Sequence, residues 1–363
     1  LGLVGSEMCI RDRPFIEGNV RAPEWQRREA ALMCFGSIMD GPESQLLVTL
    51  VSQALPTVYE ALHDVSVAVK DTAAWTLGRI CEFAADAITP EVQLGPLIQA
   101  LLAGLQEQPR IVTHCCWALI NLADNKGSRA HFDEVSPMTT ALSPFFETMV
   151  QQLLLATDRP NNESNSRTSA YEALANLIAN AAGDCLQQAS SVLVHVIERQ
   201  EQLNAMVAQL VGLDDRNNWA ELQSNLCSVM IAAVRHLGAG IAPIGDRLMT
   251  SLLTLIQNSA KQPTVLEDAF VAVGTVIVAL EGDFAKYLDA FLPFLVEGLR
   301  HHEEHQLCTI SVGIVGDLCR SLGERATPYS ETLVLALFED LQSPVLNRCL
   351  LYTSDAADDM QCV

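Results

Sequence analysis

The sequence predicts an all-α fold, an α-α superhelix (solenoid) of repeated helix pairs, on three observations. A common frame recurs every 42 residues, because Met33, Trp75 and Trp117 align in the segments REAALMCFGSI, VKDTAAWTLGRICEF and VTHCCWALINL. The same spacing separates Gly274 from Gly316 near the other end of the chain. The apolar residues of these segments recur with helical periodicity, and no segment shows the alternation of a strand. A fixed period of this size in helical segments is typical of a solenoid.

The helix pairs are predicted to follow one another along the chain, after the end of an earlier repeat at Pro14–Asp40 and before a further first helix at Pro328–Leu341. Pro56, Pro96 and Pro293 fall inside predicted first helices, so a bent first helix is expected to recur. The predicted pairs are Gln45–His63 with Ser66–Asp86, Glu91–Gln106 with Pro109–Asn125, Ala141–Thr157 with Ser164–Ala182, Asp184–Val211 with Trp219–Leu237, Ile241–Asn258 with Val265–Leu280, and Phe284–Arg300 with Gln306–Leu322.

Both ends of the chain fit no repeat. Residues 1–13 and 349–363 interrupt the pattern and resemble translated library-adapter sequence. We therefore expect residues 14–348 to form the solenoid, with about seven repeats of which the terminal ones are incomplete. No linker or change of composition marks a domain boundary within this range, so one continuous array is predicted.

The composition restricts the class of partner. The chain of 363 residues has 44 acidic and 22 basic residues, a net charge of −22, which disfavours nucleic acid and anionic membranes and favours basic partners. No uninterrupted apolar run reaches the roughly 18 residues that a membrane-spanning helix needs. The 11 cysteines include no C-x-x-C pair, which indicates the reduced thiols of a cytosolic or nuclear protein.

The frame also predicts a binding surface on the second helices. On a helical wheel Trp75 lies opposite the apolar stripe, between Asp71 and Glu82. A flat aromatic ring flanked by carboxylates suits the side chain of lysine or arginine, through cation–π contact and ion pairing. The alternative is that the indoles only fill the gap between adjacent repeats. The predicted basic-peptide site consists of Trp75, Trp117, Asp71, Glu82, Asn121 and Asp124.

One motif resembles a metal site. His301-His302-Glu303-Glu304-His305 satisfies H-x-x-E-H, the pattern of an inverted zinc protease. That chemistry needs a continuous helix, a third ligand and a cleft, whereas this motif falls in a predicted turn between helices. A zinc hydrolase is therefore the weakest alternative. The chain has no Gly-rich phosphate loop and no triad spacing, so we predict no enzyme, no catalytic residue, no metal and no cofactor.

Four segments carry a resemblance to a known family. They are WQRREAALMCFGSIMDGP (Trp25–Pro42), VKDTAAWTLGRICEF (Val69–Phe83), CCWALINL (Cys115–Leu122) and FAKYLDAFLPFL (Phe284–Leu295). Together they resemble the importin-β (karyopherin-β1) family of nuclear import receptors, which are built of HEAT repeats. The similarity extends over about residues 14–348 and looks closer to fungal than to animal members.

The resemblance implies both partners and sites. Members of the family bind the arginine- and lysine-rich segment of importin-α on their concave face, release it when Ran-GTP binds, and meet FG-nucleoporins on the convex side. Trp75 and Trp117 match the two family tryptophans that hold basic side chains, whereas Val271 and Gly313 occupy that position in later copies. The resemblance also implies a groove for FG-nucleoporins between neighbouring first helices, which is lined by Phe291 and Leu295 or by Leu333 and Leu337. The alternative is that these side chains are simply core.

The leading hypothesis is therefore a fragment of a nuclear import receptor that binds importin-α or basic cargo signals and catalyses nothing. The resemblance implies a location in the cytoplasm and nucleus and at the nuclear pore, with no nucleic-acid partner and no membrane insertion. The alternative is a generic HEAT-repeat scaffold, such as a phosphatase scaffold or a coat adaptor. A scaffold of that kind has no need of tryptophans and carboxylates arranged along one face.

Overall fold

A computed structural model describes residues 13–40, 44–128, 137–159, 163–301 and 305–342. Within these ranges the chain forms helices, turns and short irregular segments, and no strand is present. This confirms the predicted all-α fold. The suspected adapter sequences at 1–13 and 349–363 lie outside the described residues, apart from Arg13.

The chain divides into two compact units, Leu1–Ala189 and Ser190–Val363, and the boundary falls inside a helix. The sequence does not predict this division, because no linker accompanies it. In the first unit a helical segment at residues 13–19 (α1) precedes the second helix of the first repeat. The helices that follow are α2 (Trp25–Ser37), α3 (Ser44–Ala61), α4 (Val67–Phe83), α5 (Gly95–Gly104), α6 (Pro109–Lys126), α7 (Phe146–Thr157) and α8 (Ser164–Ala179).

The first unit has two rows of helices. The second helices of its repeats, α2, α4, α6 and α8, pack against one another in sequence, whereas the first helices α5 and α7 touch at only a few positions. The row of second helices is therefore the more closely packed of the two rows in this unit. Small side chains permit that approach, since Ala73, Ala74, Ala118 and Ala123 are all buried.

The second unit repeats this arrangement. Its second helices α10, α12 and α14 contact one another in order, and α12 and α14 each pack against the first helix of their own repeat. The indole of Trp219 on α10 donates a hydrogen bond to the carbonyl of Leu203 on α9. Apolar side chains between the rows form the core, and Phe270 and Phe291 meet there edge to face with ring centroids 5.6 Å apart. The helices are α9 (Leu186–Met206), which contains the unit boundary, α10 (Leu213–Leu237), α11 (Gly245–Asn258), α12 (Pro263–Leu280), α13 (Ala285–Arg300), α14 (His305–Leu322) and α15 (Ser330–Gln342).

The three prolines of the first helices do not all behave alike. Pro56 and Pro293 lie inside α3 and α13, as predicted. Pro96 instead lies at the start of α5, directly after one π-helical turn at Pro90–Leu94. A proline has no N–H to donate to the preceding turn, so the backbone there widens instead of continuing as an α-helix.

Two stretches, Leu213–Asn258 and Pro263–Arg300, are long and apolar enough by composition alone to cross a membrane. Each consists of two helices, the second helix of one repeat and the first helix of the next, joined by a short 3₁₀ segment. The core helices of a helical-repeat protein meet the same compositional criteria, so the feature is a weak indication of a membrane span.

The second helices of the second unit end in an unusual backbone conformation. Gly238 follows α10 with φ 51° and ψ −133°, and Glu281 follows α12 with φ 47° and ψ −128°. Gly323 follows α14 with φ 53°. Side chains with a Cβ rarely adopt this region, which glycine occupies without steric cost. Among the described residues Glu281 is the one non-glycine residue with positive φ.

Replacing Glu281 by glycine is expected to raise the free energy of unfolding by about 1 kcal/mol, because it relieves the steric cost of this conformation. Glu324→Gly is the matched control, since Glu324 lies in the next 3₁₀ segment without positive φ and its replacement is expected to destabilise slightly. Urea unfolding of both variants measures the difference. Equal destabilisation by both substitutions would show that the conformation at Glu281 carries no strain.

A candidate binding surface on the second helices

Trp75 and Trp117 lie between adjacent second helices. The ring of Trp75 rests on Gly36 of α2, where a Cβ would stand only 2.4 Å from the ring. The ring of Trp117 rests on Gly78 of α4, where a Cβ would stand 2.1 Å away. Both tryptophans are half-buried. Part of each indole therefore fills the gap between repeats, and the remainder faces solvent.

The two indoles follow one rule of position. Each tryptophan comes 39 residues after the glycine on which it rests. Gly78 lies about one helical turn after Trp75 on α4, so Trp117 rests on the same helix close to the first indole. Successive second helices thus bring the two aromatic side chains to one surface, as the 42-residue frame predicts. Position 120, the next in this series, is an isoleucine, and the described chain does not continue the series there.

Asp71 is not the open carboxylate that the helical wheel predicts. Its side chain is only 14% exposed and lies 2.9 Å from the guanidinium of Arg110 and 3.5 Å from His114 Nε2, both on α6. Burial lowers the pKa of His114, and the neighbouring carboxylate of Asp71 opposes that shift. The carboxylate therefore already has cationic and imidazole neighbours from the next repeat. A partner must share or displace them to reach it.

A guanidinium of the chain itself already lies beside Trp75. Arg79 stacks over Phe83 at 4.1 Å from the ring centroid, stands 6.0 Å from the ring of Trp75, and donates to the carbonyl of Gly36 at 3.3 Å. Glu82 lies 3.6 Å from the same guanidinium. Aromatic faces, a carboxylate and a main-chain oxygen thus surround a cationic group here. This is the chemistry that the sequence predicts for a basic partner.

Two asparagines that are not among the predicted site residues contact the carboxylate at the acidic end of the surface. Asp124 is exposed and accepts hydrogen bonds from the amides of Asn176 (2.9 Å) and Asn180 (3.0 Å). The carbonyl oxygen of Asn121 accepts a bond from Asn125, and its side-chain Nδ2 is buried without a hydrogen-bond partner. The two asparagines of the α8 region are four residues apart, which places them on one helical face. That spacing is the signal that could have identified them.

The residues predicted for FG-nucleoporin contact are mostly core. Phe291 and Leu295 are fully buried and Leu333 is 3% exposed. α13 packs against α15, and the ring of Phe291 meets Phe270 of α12. Leu337 is half-buried. A groove of about 280 Å³ instead lies one repeat earlier, between α11 and α13, and half-buried Phe294 reaches it. Its apolar lining consists of Ile256, Ala260, Leu266, Phe270, Phe294 and Leu307.

Only the two ends of the histidine motif can be placed. α13 ends at Arg300, directly before His301, and α14 begins at His305. His302, Glu303 and Glu304 lie outside the described residues. Across the part of the chain that the structure describes, no group of three potential metal ligands is found.

Helix pairs that pack in sequence within each unit place the chain among the helical-repeat proteins. Residues 96–352 match the family profile described as importin subunit beta-1-like, TPR repeats, and residues 25–80 match a HEAT-like repeat. The chain therefore belongs to the importin subunit beta-1-like family.

Individual relatives agree with this family. Importin subunit beta-1 of Schizosaccharomyces pombe is 43% identical over 92% of this chain, and that of Arabidopsis thaliana is 34% identical over 95%. A crystal structure of importin beta superposes with a TM-score of 0.87 at 37% identity, covering 91% of this chain and 38% of that one. A complex of Kap95 with Nup1 superposes with a TM-score of 0.83 at 31% identity, over 92% of this chain and 37% of Kap95. The chain spans 38% and 40% of the length of the two curated relatives.

Proposed function

We propose that this chain is part of a nuclear import receptor, a karyopherin, that binds the basic segment of importin-α or basic cargo signals. The site is the surface of α4 and α6 around Trp75 and Trp117. One observation carries the proposal: two half-buried indoles lie on adjacent second helices, Trp117 rests on Gly78 one helical turn from Trp75, and the guanidinium of Arg79 stands 6.0 Å from the ring of Trp75. A protein surface that already stabilises one guanidinium offers the same contacts to another.

The charge of the chain supports the same partner. A net charge of −22 attracts an arginine- and lysine-rich segment from a distance and speeds its association. The paired state of Asp71 makes the indoles and Asp124 the first points of contact. No step of this function breaks or forms a covalent bond, and no cofactor takes part.

The comparisons support the remaining partners of the whole receptor. Among the similar structures, one is a complex of Kap95 with Nup1 and another concerns the binding of Kap95p to RanGDP. For the complete protein we propose binding of Ran-GTP and of FG-nucleoporins, and a location in the cytoplasm and nucleus and at the nuclear pore. The generic scaffold, either a phosphatase scaffold or a coat adaptor, has no comparable support.

Direct binding tests the proposal. A fluorescein-labelled peptide of the importin-α basic segment is expected to bind the 363-residue chain, with an affinity that falls as salt is added. The control peptide has glutamine at every lysine and arginine and is expected not to bind. If both peptides bind equally, or neither does, this surface does not recognise basic segments.

For FG-nucleoporins we propose the groove between α11 and α13 in place of the groove first predicted. Phe294→Ala is expected to weaken binding of an FxFG peptide severalfold, because it removes the aromatic side chain that reaches this groove. Leu337→Ala on α15 is the matched control and is expected to leave binding unchanged. If Leu337→Ala weakens binding and Phe294→Ala does not, the FG-nucleoporin site lies between α13 and α15, as first predicted.

A further inference from the structure

A second cleft lies on the second helices of the other unit. It encloses about 720 Å³ among α10, α12 and α14. Its apolar walls include Val278, which is 55% exposed, and half-buried Val271 and Ile310. An exposed apolar wall inside a cleft is surface that a partner's apolar group can cover.

The frame explains why the cleft is open. Gly313 of α14 occupies the position that Trp75 and Trp117 occupy in the first unit. The residue 39 positions before it is Gly274 of α12, so the glycine on which an indole would rest is present. The indole that would rest on it is absent, because position 313 is itself a glycine. We call this part of the cleft the Gly274–Gly313 slot.

The geometry of the slot agrees with its sequence. No atom lies within 4 Å of the place where a Cβ on Gly313 would stand. A Cβ on Gly274 would stand 3.3 Å from its nearest neighbour, Ile314 Cγ1, whereas a Cβ on Gly36 or Gly78 would stand 2.4 or 2.1 Å from an indole. The flat glycine surface is thus more open here than in the repeats that carry tryptophan.

The charged groups around the slot are mostly acidic. Glu281, Asp283 and Asp317 line the cleft together with one cation, Arg235. Asp317 also pairs with Arg320 on its own helix. The excess of carboxylates, in a chain of net charge −22, favours a partner segment with lysine or arginine beside its aromatic residue.

We propose that the Gly274–Gly313 slot binds an aromatic side chain, most closely an indole, presented by a short basic segment of a partner protein. The partner's ring takes the place that the chain's own tryptophans hold on Gly36 and Gly78. The acidic groups at the edge of the cleft hold the flanking cations. This site is separate from Trp75 and Trp117, and it does not depend on the function proposed for them.

The probe is a fluorescein-labelled peptide with a central tryptophan between two lysines on each side, compared with the same peptide carrying alanine at its centre. The 363-residue chain is expected to bind the tryptophan peptide about tenfold more tightly. In Gly313→Trp the chain fills its own slot, and the two peptides are expected to bind alike. Gly18→Trp adds the same indole at an exposed glycine of the first unit, where a Cβ would also meet no atom, so it is the matched control and is expected to keep the tenfold preference.

Two further measurements separate this site from the surface of the first unit. The preference for tryptophan is expected to persist in the Trp75→Ala, Trp117→Ala variant, even if overall binding of basic peptides is lost there. In the unmodified chain the δ1 methyl resonances of Ile310 and Ile314 are expected to shift when the tryptophan peptide is added. Unmoved methyl resonances, or a preference that survives in a folded Gly313→Trp variant, would overturn the proposal.

Discussion

Replacing both Trp75 and Trp117 with alanine is expected to weaken binding of the importin-α basic segment by tenfold or more. Each contact between an indole and a cationic side chain contributes about 0.5–2 kcal/mol, and about 1.4 kcal/mol corresponds to a factor of ten. Fluorescence anisotropy with the labelled segment measures the change. The half-buried indoles also contact Gly36 and Gly78, so thermal unfolding by circular dichroism must accompany the binding measurement.

The control for this experiment is a tryptophan outside the proposed site. Trp25 begins α2 and is 41% exposed, so Trp25→Ala removes an indole that is more accessible than Trp75 and Trp117. It is expected to leave binding unchanged. If the double variant unfolds, the indoles serve mainly as packing between repeats. If it folds and binds normally, the assignment of the surface is wrong.

Gly78→Ala is expected to lower the free energy of unfolding by about 1–3 kcal/mol, because the added methyl group overpacks the interface between α4 and α6. Its Cβ would lie 2.1 Å from the ring of Trp117, so the indole or the helix must move. The same substitution is expected to weaken binding of the basic segment of importin-α, since it displaces Trp117 from the surface. Urea unfolding and anisotropy measure the two effects.

Gly313→Ala provides the matched comparison for Gly78→Ala. The chemical change is identical and both glycines lie inside second helices, but no atom is near the new methyl group at position 313. Alanine favours the helix over glycine, so this variant is expected to be more stable by about 0.5–1 kcal/mol. Equal effects at the two positions would show that contact between Gly78 and Trp117 contributes little to the interface.

The sequence predicts the helix pairs and the position of both indoles because their cause is local. A repeated apolar stripe determines which face of each helix is buried, and the 42-residue period aligns Trp75 with Trp117. The sequence also contains a signal for the glycines beneath the rings, since each precedes its tryptophan by 39 residues. The spacing between helices of different repeats carries that information.

The sequence does not predict the contacts that side chains make with the neighbouring repeat. A helical wheel of α4 places Asp71 beside Trp75 but cannot show Arg110 and His114, which approach from α6. Phe291 and Phe294 lie on the same helix, and only the packing of α13 against its neighbours decides which ring is buried. The division of the chain inside α9 has no sequence signal for the same reason.

Because each indole belongs to one repeat and rests on the previous one, a ligand that holds its exposed part touches a joint between repeats. Rotation of α4 relative to α6 moves Trp117 across Gly78, so the surface presented to a partner changes with the local curvature of the chain. A partner that fits one curvature shifts the population toward it, by as much as its affinity differs between the two forms. The distance between the two indoles therefore depends on the local curvature of this part of the solenoid. The spacing between successive cations in a bound segment must match that distance, so it reports which curvature the chain adopts.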